Sequence, residues 1–319
     1  MAMNHQQLKE YCEDIYQCNF EPYLAGRKDL YLGLMAAYFC HGHVLIEGPP
    51  GTAKTLIAKL VAKTFAKSFK RIQFTNDLQP KQLIGTHQWH QGKNEYRFIA
   101  GPLFSDIILA DEINRAPPNV QSAFLEAMEE RQLTIDGNTL DLGENFFVVA
   151  TQNPNDFAGT HPLPEVQLDR FIFSYRLEHS SLEQEISIVQ RHLSGKLPPV
   201  LNHVKQLDVS LHEVHALIKS VTIDEGLIAF AARIVRKTRD NPNFEKAASM
   251  RALLAIIKGA QVFAALDGRT EVNEDDIRFL AVPALRHRLT LSDAMKKNLK
   301  SCESVVSELV NQVDYMKAA

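Results

Sequence analysis

The twelve residues from Val44 to Thr55, VLIEGPPGTAKT, decide how this chain is read. An apolar run ends at Glu47, and a turn rich in glycine and proline follows. Lys54-Thr55 then opens a segment whose apolar residues have helical spacing. Strand, loop and helix start is the context in which a phosphate-binding loop forms. Gly48 and Gly51 let backbone N–H groups approach an anion with no Cβ in the way. The new helix adds the positive end of its dipole and its unpaired N–H groups. In such a setting Lys54 reaches the β- and γ-phosphates, and the Thr55 hydroxyl ligates magnesium. The candidate loop is Gly48, Pro49, Pro50, Gly51, Thr52, Ala53, Lys54 and Thr55. The general pattern G-x-x-x-x-G-K-[ST] has glycine where this chain has Ala53. Alanine is expected there because the backbone is already helical, with φ below zero, so that it costs no strain. The plain alternative is a chance glycine turn before a helix. Three further motifs downstream oppose it.

Outward from the loop, apolar strands alternate with helical patterns. Strands are expected over 43–47, 70–74, 106–111, 146–151 and 171–177. The helix over 54–66 is expected to turn Leu56, Leu60 and Phe65 to the sheet. A helix opened by Pro117-Pro118 carries Val120, Phe124, Leu125 and Met128 on one face. This alternation indicates an α/β fold, a parallel sheet covered on both faces. Two inserts interrupt it. Segment 85–101 places Trp89, His90, Tyr96 and Phe98 about a turn at Gln91-Gly92-Lys93-Asn94. Segment 132–142 has Asp136-Gly137 between alternating residues, a strong hairpin signal. Isolated hairpins are marginal in water, so both are expected to lean on a neighbour, a substrate or another subunit. Beyond about residue 178 only helices are expected, over 182–192, 211–221, 224–239, 249–266 and 274–289. Two domains follow: a nucleotide-binding α/β domain over 1–180 and a small all-α domain over 181–319.

Composition narrows the class. The 319 residues leave room for a sizeable core and two domains. Hydrophobic residues make up 45% and charged residues 23%, ordinary for a soluble globular protein. A net charge of −3 and a pI near 6.5 lack the basic excess that nucleic acid attracts. Cys12, Cys18, Cys40 and Cys302 form no C-x-x-C pair, which opposes zinc and fits reduced thiols in a cytosolic protein. His87, His90 and His161 are scattered without acids at metal spacing. The N-terminus lacks the basic-then-apolar order of a signal peptide, and no apolar run approaches the ~18 residues of a membrane helix. A cytoplasmic protein is expected.

Three motifs follow the loop. IILADEINRA, Ile107 to Ala116, brings two acids to the carboxyl end of an apolar strand, beside the loop in a parallel sheet. Asp111 suits magnesium, directly or through water. Glu112 points to the other side and suits an attacking water. VVATQNP, Val148 to Pro154, ends a strand with the amide of Asn153 at its tip, where it can contact the γ-phosphate or the water. An ordinary loop-capping asparagine has the same composition. In LPEVQLDRF, Leu163 to Phe171, Arg170 suits a charge supplied across a subunit boundary. A local ion pair with Asp169 or Glu165 suits it equally well.

GPPGTAKT, DEINRAPP, ATQNP and LPEVQLDRF, in this order, resemble the MoxR family of AAA+ ATPases. The similarity runs from about Gly26 into the helical C-terminal part, and DEINRAPPNVQSAFLEAMEERQLTIDG is specific to that family. Relatives often carry alanine at the position of Ala53. The resemblance implies an AAA+ type P-loop domain with strand order 5-1-4-3-2 and a small all-α lid. It implies ATP and Mg2+ bound at the interface of ring-forming subunits, with a hexamer the expected ring. It assigns sensor one to Asn153, the arginine finger to Arg170, and sensor two, a nucleotide contact, to Arg251 in ASMRALL. LRHRL, Leu285 to Leu289, also resembles the family, but no role comes with it. Relatives carry Val-Gly-Gln near the adenine where this chain has Leu24-Ala25-Gly26-Arg27, so base contacts do not transfer.

The implied function is ATP hydrolysis coupled to chaperone-like remodelling or maturation of a partner complex, whose members can include von Willebrand factor A domains. One rival is a nucleic-acid motor or loader, which the mild acidity opposes and DNA-stimulated hydrolysis would support. Another is a nucleotide-controlled assembly switch with little turnover, which intact Glu112 and Arg170 oppose.

Overall fold

The computed structural model describes residues 3–49, 51–90, 92, 94–153, 159–179, 181–194, 204–206, 210–298 and 301–315. In chain order the strands are β1 (Val44–Glu47), β2 (Phe69–Gln73), the hairpin β3 (Gly85–His90) and β4 (Glu95–Ala100), and β5 (Ile107–Asp111). The hairpin β6 (Gln132–Ile135) and β7 (Asn138–Asp141), then β8 (Phe147–Gln152) and β9 (Phe173–Arg176), follow. Strands β2, β5, β8, β1 and β9 lie side by side in that order, every pair parallel. Counting only these five along the chain gives the expected order 5-1-4-3-2. The order puts β8 between β1 and β5. The loops leaving Glu47, Asp111 and Gln152 therefore emerge together at one edge of the sheet.

Alternation along the strands splits the core into two layers. Val44 and Ile46 pack with Ile57, Leu60 and Val61, while Leu45 packs with Ile108, Val148 and Phe124 on the other face. Each such side chain contributes about 1.5–3 kcal/mol through burial. The helix Lys54–Thr64 buries Ile57, Leu60, Val61 and Thr64. Leu56, expected to face the sheet, stands one 100° step off that stripe and is only half-buried.

Both expected hairpins form. In the second, Asp136 and Gly137 have φ of 50° and 82°, the two left-handed residues a two-residue turn requires. In the first, Trp89 and Tyr96 face each other with ring centroids 5.1 Å apart, and both are exposed. Its turn residues Gln91 and Lys93 lie outside the described residues. The hairpins lean on one another through His87 Nδ1 and Asp136 Oδ2, 3.1 Å apart.

The C-terminal part is mainly helical, with its main helices at Leu182–Leu193, Leu211–Ser220, Glu225–Lys237, Met250–Leu266, Glu274–Leu285 and Cys302–Asn311. It is not wholly α. β10 (Phe244–Lys246) and β11 (Thr290–Leu291) form a short antiparallel pair. The helix expected to run to 289 stops at Leu285, because the Arg288 guanidinium takes the Ala284 carbonyl and the chain turns into β11. Among the described residues no helix is long and apolar enough to cross a membrane.

Candidate functional site

β1 delivers the loop to the carboxyl edge of the sheet. Gly48 N–H donates to the Gln152 carbonyl at 3.2 Å, fixing the start of the loop on β8. A Cβ on Gly48 would lie 2.6 Å from the Leu177 carbonyl oxygen, so glycine is what lets the chain pass. The Thr52 hydroxyl donates to the Pro49 carbonyl at 2.9 Å. Pro50 lies outside the described residues. Ala53 overturns the expectation made for it. Its φ is +61° and its ψ 18°, left-handed, and the helix begins only at Lys54. The turn out of the loop demands that conformation, and packing of the following helix holds it. Glycine avoids the left-handed penalty of about 1–2 kcal/mol but loses about 0.5–1 kcal/mol in chain entropy. Ala53→Gly is thus expected to raise the thermal midpoint by roughly 2 °C. A lower midpoint would contradict a left-handed Ala53.

Lys54 opens the helix with Thr55 beside it, and its Nζ donates to the Gly48 carbonyl at 2.7 Å. Burial pulls the ammonium below its ordinary pKa, and the Asp111 and Glu112 carboxylates pull it back up. Beside the loop opens a cavity of about 480 Å³. Gly51, Ala53 and Leu56 form one wall, Tyr23 and Leu24 a second, and Val189 of the helix Leu182–Leu193 a third. Apolar side chains next to a phosphate loop, with Arg27, Glu178, His179 and Glu185 also lining the cavity, fit a nucleoside.

The acids meet the loop from β5. Asp111 is the last residue of that strand, and both of its oxygens are engaged. Thr151 Oγ1 donates to Oδ1 at 2.6 Å, and Arg71 Nη2 donates to Oδ2 at 2.7 Å. Glu112 is left-handed with φ +57°. Such strain in a non-glycine residue persists only where its surroundings impose it. Here the Glu112 N–H donates to Thr151 Oγ1 at 3.0 Å. Glu112 Oε2 accepts from Gln73 Nε2 at 2.8 Å and pairs with Arg115 Nε at 3.1 Å. Asn153 follows Gln152 at the tip of β8, between the loop and the acids. Lys54, Asp111, Glu112 and Asn153 thus share one edge of the sheet. Pro154, also in that motif, lies outside the described residues. Among the described residues no three acids, histidines or cysteines cluster as a metal cage. The Asp111 carboxylate at the end of β5 and the Thr55 hydroxyl at the helix start are oxygen donors of the kind magnesium takes, one or two from protein with water completing its shell.

The two arginines lie elsewhere. Arg170 Nε stands 3.0 Å from Glu129 Oε2, and Arg251 Nη2 stands 2.5 Å from Glu129 Oε1. Neither local partner considered for Arg170 is used. Asp169 pairs with Arg288, and Glu165 with Lys246. Glu129 follows Met128, whose carbonyl contacts His43 Nε2 at 3.0 Å just before β1. That is the amino end of the sheet, roughly 16 Å of strand from Gly48 at about 3.3 Å per residue. Arg251, expected as a nucleotide contact, is therefore placed beside Arg170 and away from its own chain's phosphate loop.

The sequence pattern of the ATPase family associated with various cellular activities (AAA) matches residues 43–173, and that of the AAA lid domain matches residues 236–309. Chaperone MoxR1 of Mycobacterium tuberculosis is 37% identical over 300 residues, 91% of this chain and 78% of the relative. The chain belongs to the MoxR family of AAA+ ATPases. An uncharacterised Bacillus subtilis protein, YeaC, is 38% identical over 91% of this chain and 90% of its own length. A solved structure of a candidate ATPase from Cytophaga hutchinsonii superposes with a TM-score of 0.87 at 33% identity, covering 98% of this chain and 97% of that one.

This MoxR-family ATPase uses side chains that sequence reasoning passed over. Thr151 ties both acids through one hydroxyl. Arg71 and Gln73, two residues apart on β2, each hold one acid. Glu129 gathers the arginines. The i, i+2 spacing of Arg71 and Gln73 marks one face of a strand, and the expected strand order already put β2 beside β5, but neither side chain was singled out as a partner of the acids.

Proposed function

We propose that this ATPase acts as a ring, expected to be a hexamer, that hydrolyses ATP with Mg2+ and uses the cycle to remodel or mature a partner protein complex in the cytoplasm. One observation carries the reading. A single chain holds Lys54, Asp111, Glu112 and Asn153 at one sheet edge and an arginine pair at the other. Among the described residues, the arginines at the site, Arg71 and Arg115, are paired with its acids, and the Arg170–Arg251 pair stands at the far edge of the same chain. A neighbouring copy in a ring would bring that pair to the γ-phosphate.

Lys54 neutralises the β- and γ-phosphates, and Thr55 and Asp111 hold the metal. Bound Mg2+ supplies charge neutralisation across the phosphates. Glu112 orients and polarises the attacking water, and Asn153 fixes its direction. The similarity to a chaperone supports a protein client. A further partner carrying a von Willebrand factor A domain follows from the family resemblance. Lys54→Ala is expected to weaken ATP binding by roughly 10- to 150-fold, the worth of a charge-assisted hydrogen bond. Tagged Glu112→Gln protein loaded with ATP should retain its client, and Lys54→Ala should retain none. The same catch from both variants would count against nucleotide-driven remodelling.

A further inference from the structure

The LRHRL segment has no part in the function proposed above. Leu285 closes a helix, and the next three side chains reach back to the sheet. Arg286 Nη2 donates to Glu47 Oε2 at 2.7 Å, and its Nη1 to the Ser174 hydroxyl at 2.7 Å. The other oxygen of Glu47, Oε1, accepts from Gln152 Nε2 at 2.6 Å. Glu47 is the residue before Gly48 of the phosphate loop, and Gln152 is the residue before Asn153.

Two positions on, all five N–H groups of Arg288 are engaged. Nε donates to Asp169 Oδ1 at 2.6 Å, Nη2 to the carbonyls of Asp169 and Phe171, and Nη1 to those of Ile172 and Ala284. His287, between them, uses Nε2 on the Phe171 carbonyl at 2.9 Å. Burial, with two arginines beside it, pushes the imidazole well below its ordinary pKa, so it stays neutral. Asp169 is the residue before Arg170. It also accepts from the hydroxyl of Ser249, at 3.1 Å, two residues before Arg251.

We propose that Arg286 and Arg288 are positioning residues that tie the phosphate loop of one subunit to the arginine pair it offers the next. This rests on Arg170 acting as a finger in trans. A lid that needed only anchoring could use apolar contact. Instead, two desolvated ion pairs land on the residues adjoining the two functional elements, and a planar guanidinium fixes angle as well as distance. A shift of Glu47 passes through Arg286 into the turn, and through Arg288 to Asp169. Subunits of a ring would then report nucleotide state to their neighbours without a direct contact between sites.

The test mixes two inactive chains. Arg170→Ala supplies an intact nucleotide site, and Lys54→Ala supplies an intact finger. Glu47→Gln is then added to the Lys54→Ala chain, whose own site is already dead, so Glu47 has no remaining task there except through the finger. Rescued turnover is expected to fall roughly 2- to 30-fold in kcat, with KM for ATP unchanged. Ring assembly is checked by sedimentation. Arg286→Lys in the same chain, which keeps the charge and loses the fork, should act likewise, so the outcome does not hang on one variant. Full rescue by both altered chains would overturn the relay. No rescue by Lys54→Ala alone would overturn the trans finger, and the relay with it.

Discussion

Glu112→Gln is expected to keep ATP bound and to lower kcat by about 10²–10⁴-fold, the usual contribution of a positioned general base. The substitution preserves shape and removes only the negative charge. The backbone of residue 112 stays fixed, because its N–H bonds to Thr151 Oγ1 irrespective of the side chain. Asp111 keeps both of its own partners, so the metal-binding side of the site is untouched. Lys54 loses one of the two carboxylates that favour its charged form and keeps the other. Binding measured by calorimetry should therefore stay within a small factor of the native value while phosphate release slows by about 10²–10⁴-fold. Hydrolysis at the native rate would mean that another group activates the water.

Arg170→Ala is expected to bind ATP nearly normally and to lose about 10³–10⁵-fold in turnover, the range for removing an arginine finger. It should do so without unfolding. Glu129 retains Arg251 when Arg170 is gone, and partly exposed pairs contribute about 0–1 kcal/mol. Hydrolysis by the native protein should rise more than linearly with concentration as subunits assemble. Mixing Arg170→Ala with Lys54→Ala should restore some activity, since an intact site then meets an intact finger. A strictly monomeric preparation with full activity would end the idea. A large loss of thermal stability in Arg170→Ala would assign the residue to holding the lid helix instead.

Several site residues could be seen in the sequence because short-range chemistry identifies them. Gly48, Gly51, Lys54 and Thr55 are constrained by one loop meeting one helix start, and that constraint is written in consecutive residues. Asp111 and Glu112 end an apolar strand, again a local pattern. Strand number, helix placement and the Asp136-Gly137 hairpin follow from periodicity and turn chemistry, which act within a few residues.

Only tertiary structure decided the rest. Ala53 is left-handed because the loop must join β1 to a helix packed on the sheet, a demand that overrides its own preference. Thr151, Arg71 and Gln73 reach the acids only because β8 and β2 flank β5. Arg251 sits 81 positions (251 − 170) from Arg170 in sequence, yet both hold Glu129. LRHRL reads as the end of a helix, and its ion pairs form only because Glu47 arrives from β1 and Asp169 from the turn ahead of β9. The sequence by itself determined the sheet, the phosphate loop and the acids, because their signals are local. Which charges meet across the sheet was left to the fold, because Coulombic and hydrogen-bond partners are chosen by distance in space and carry no period along the chain.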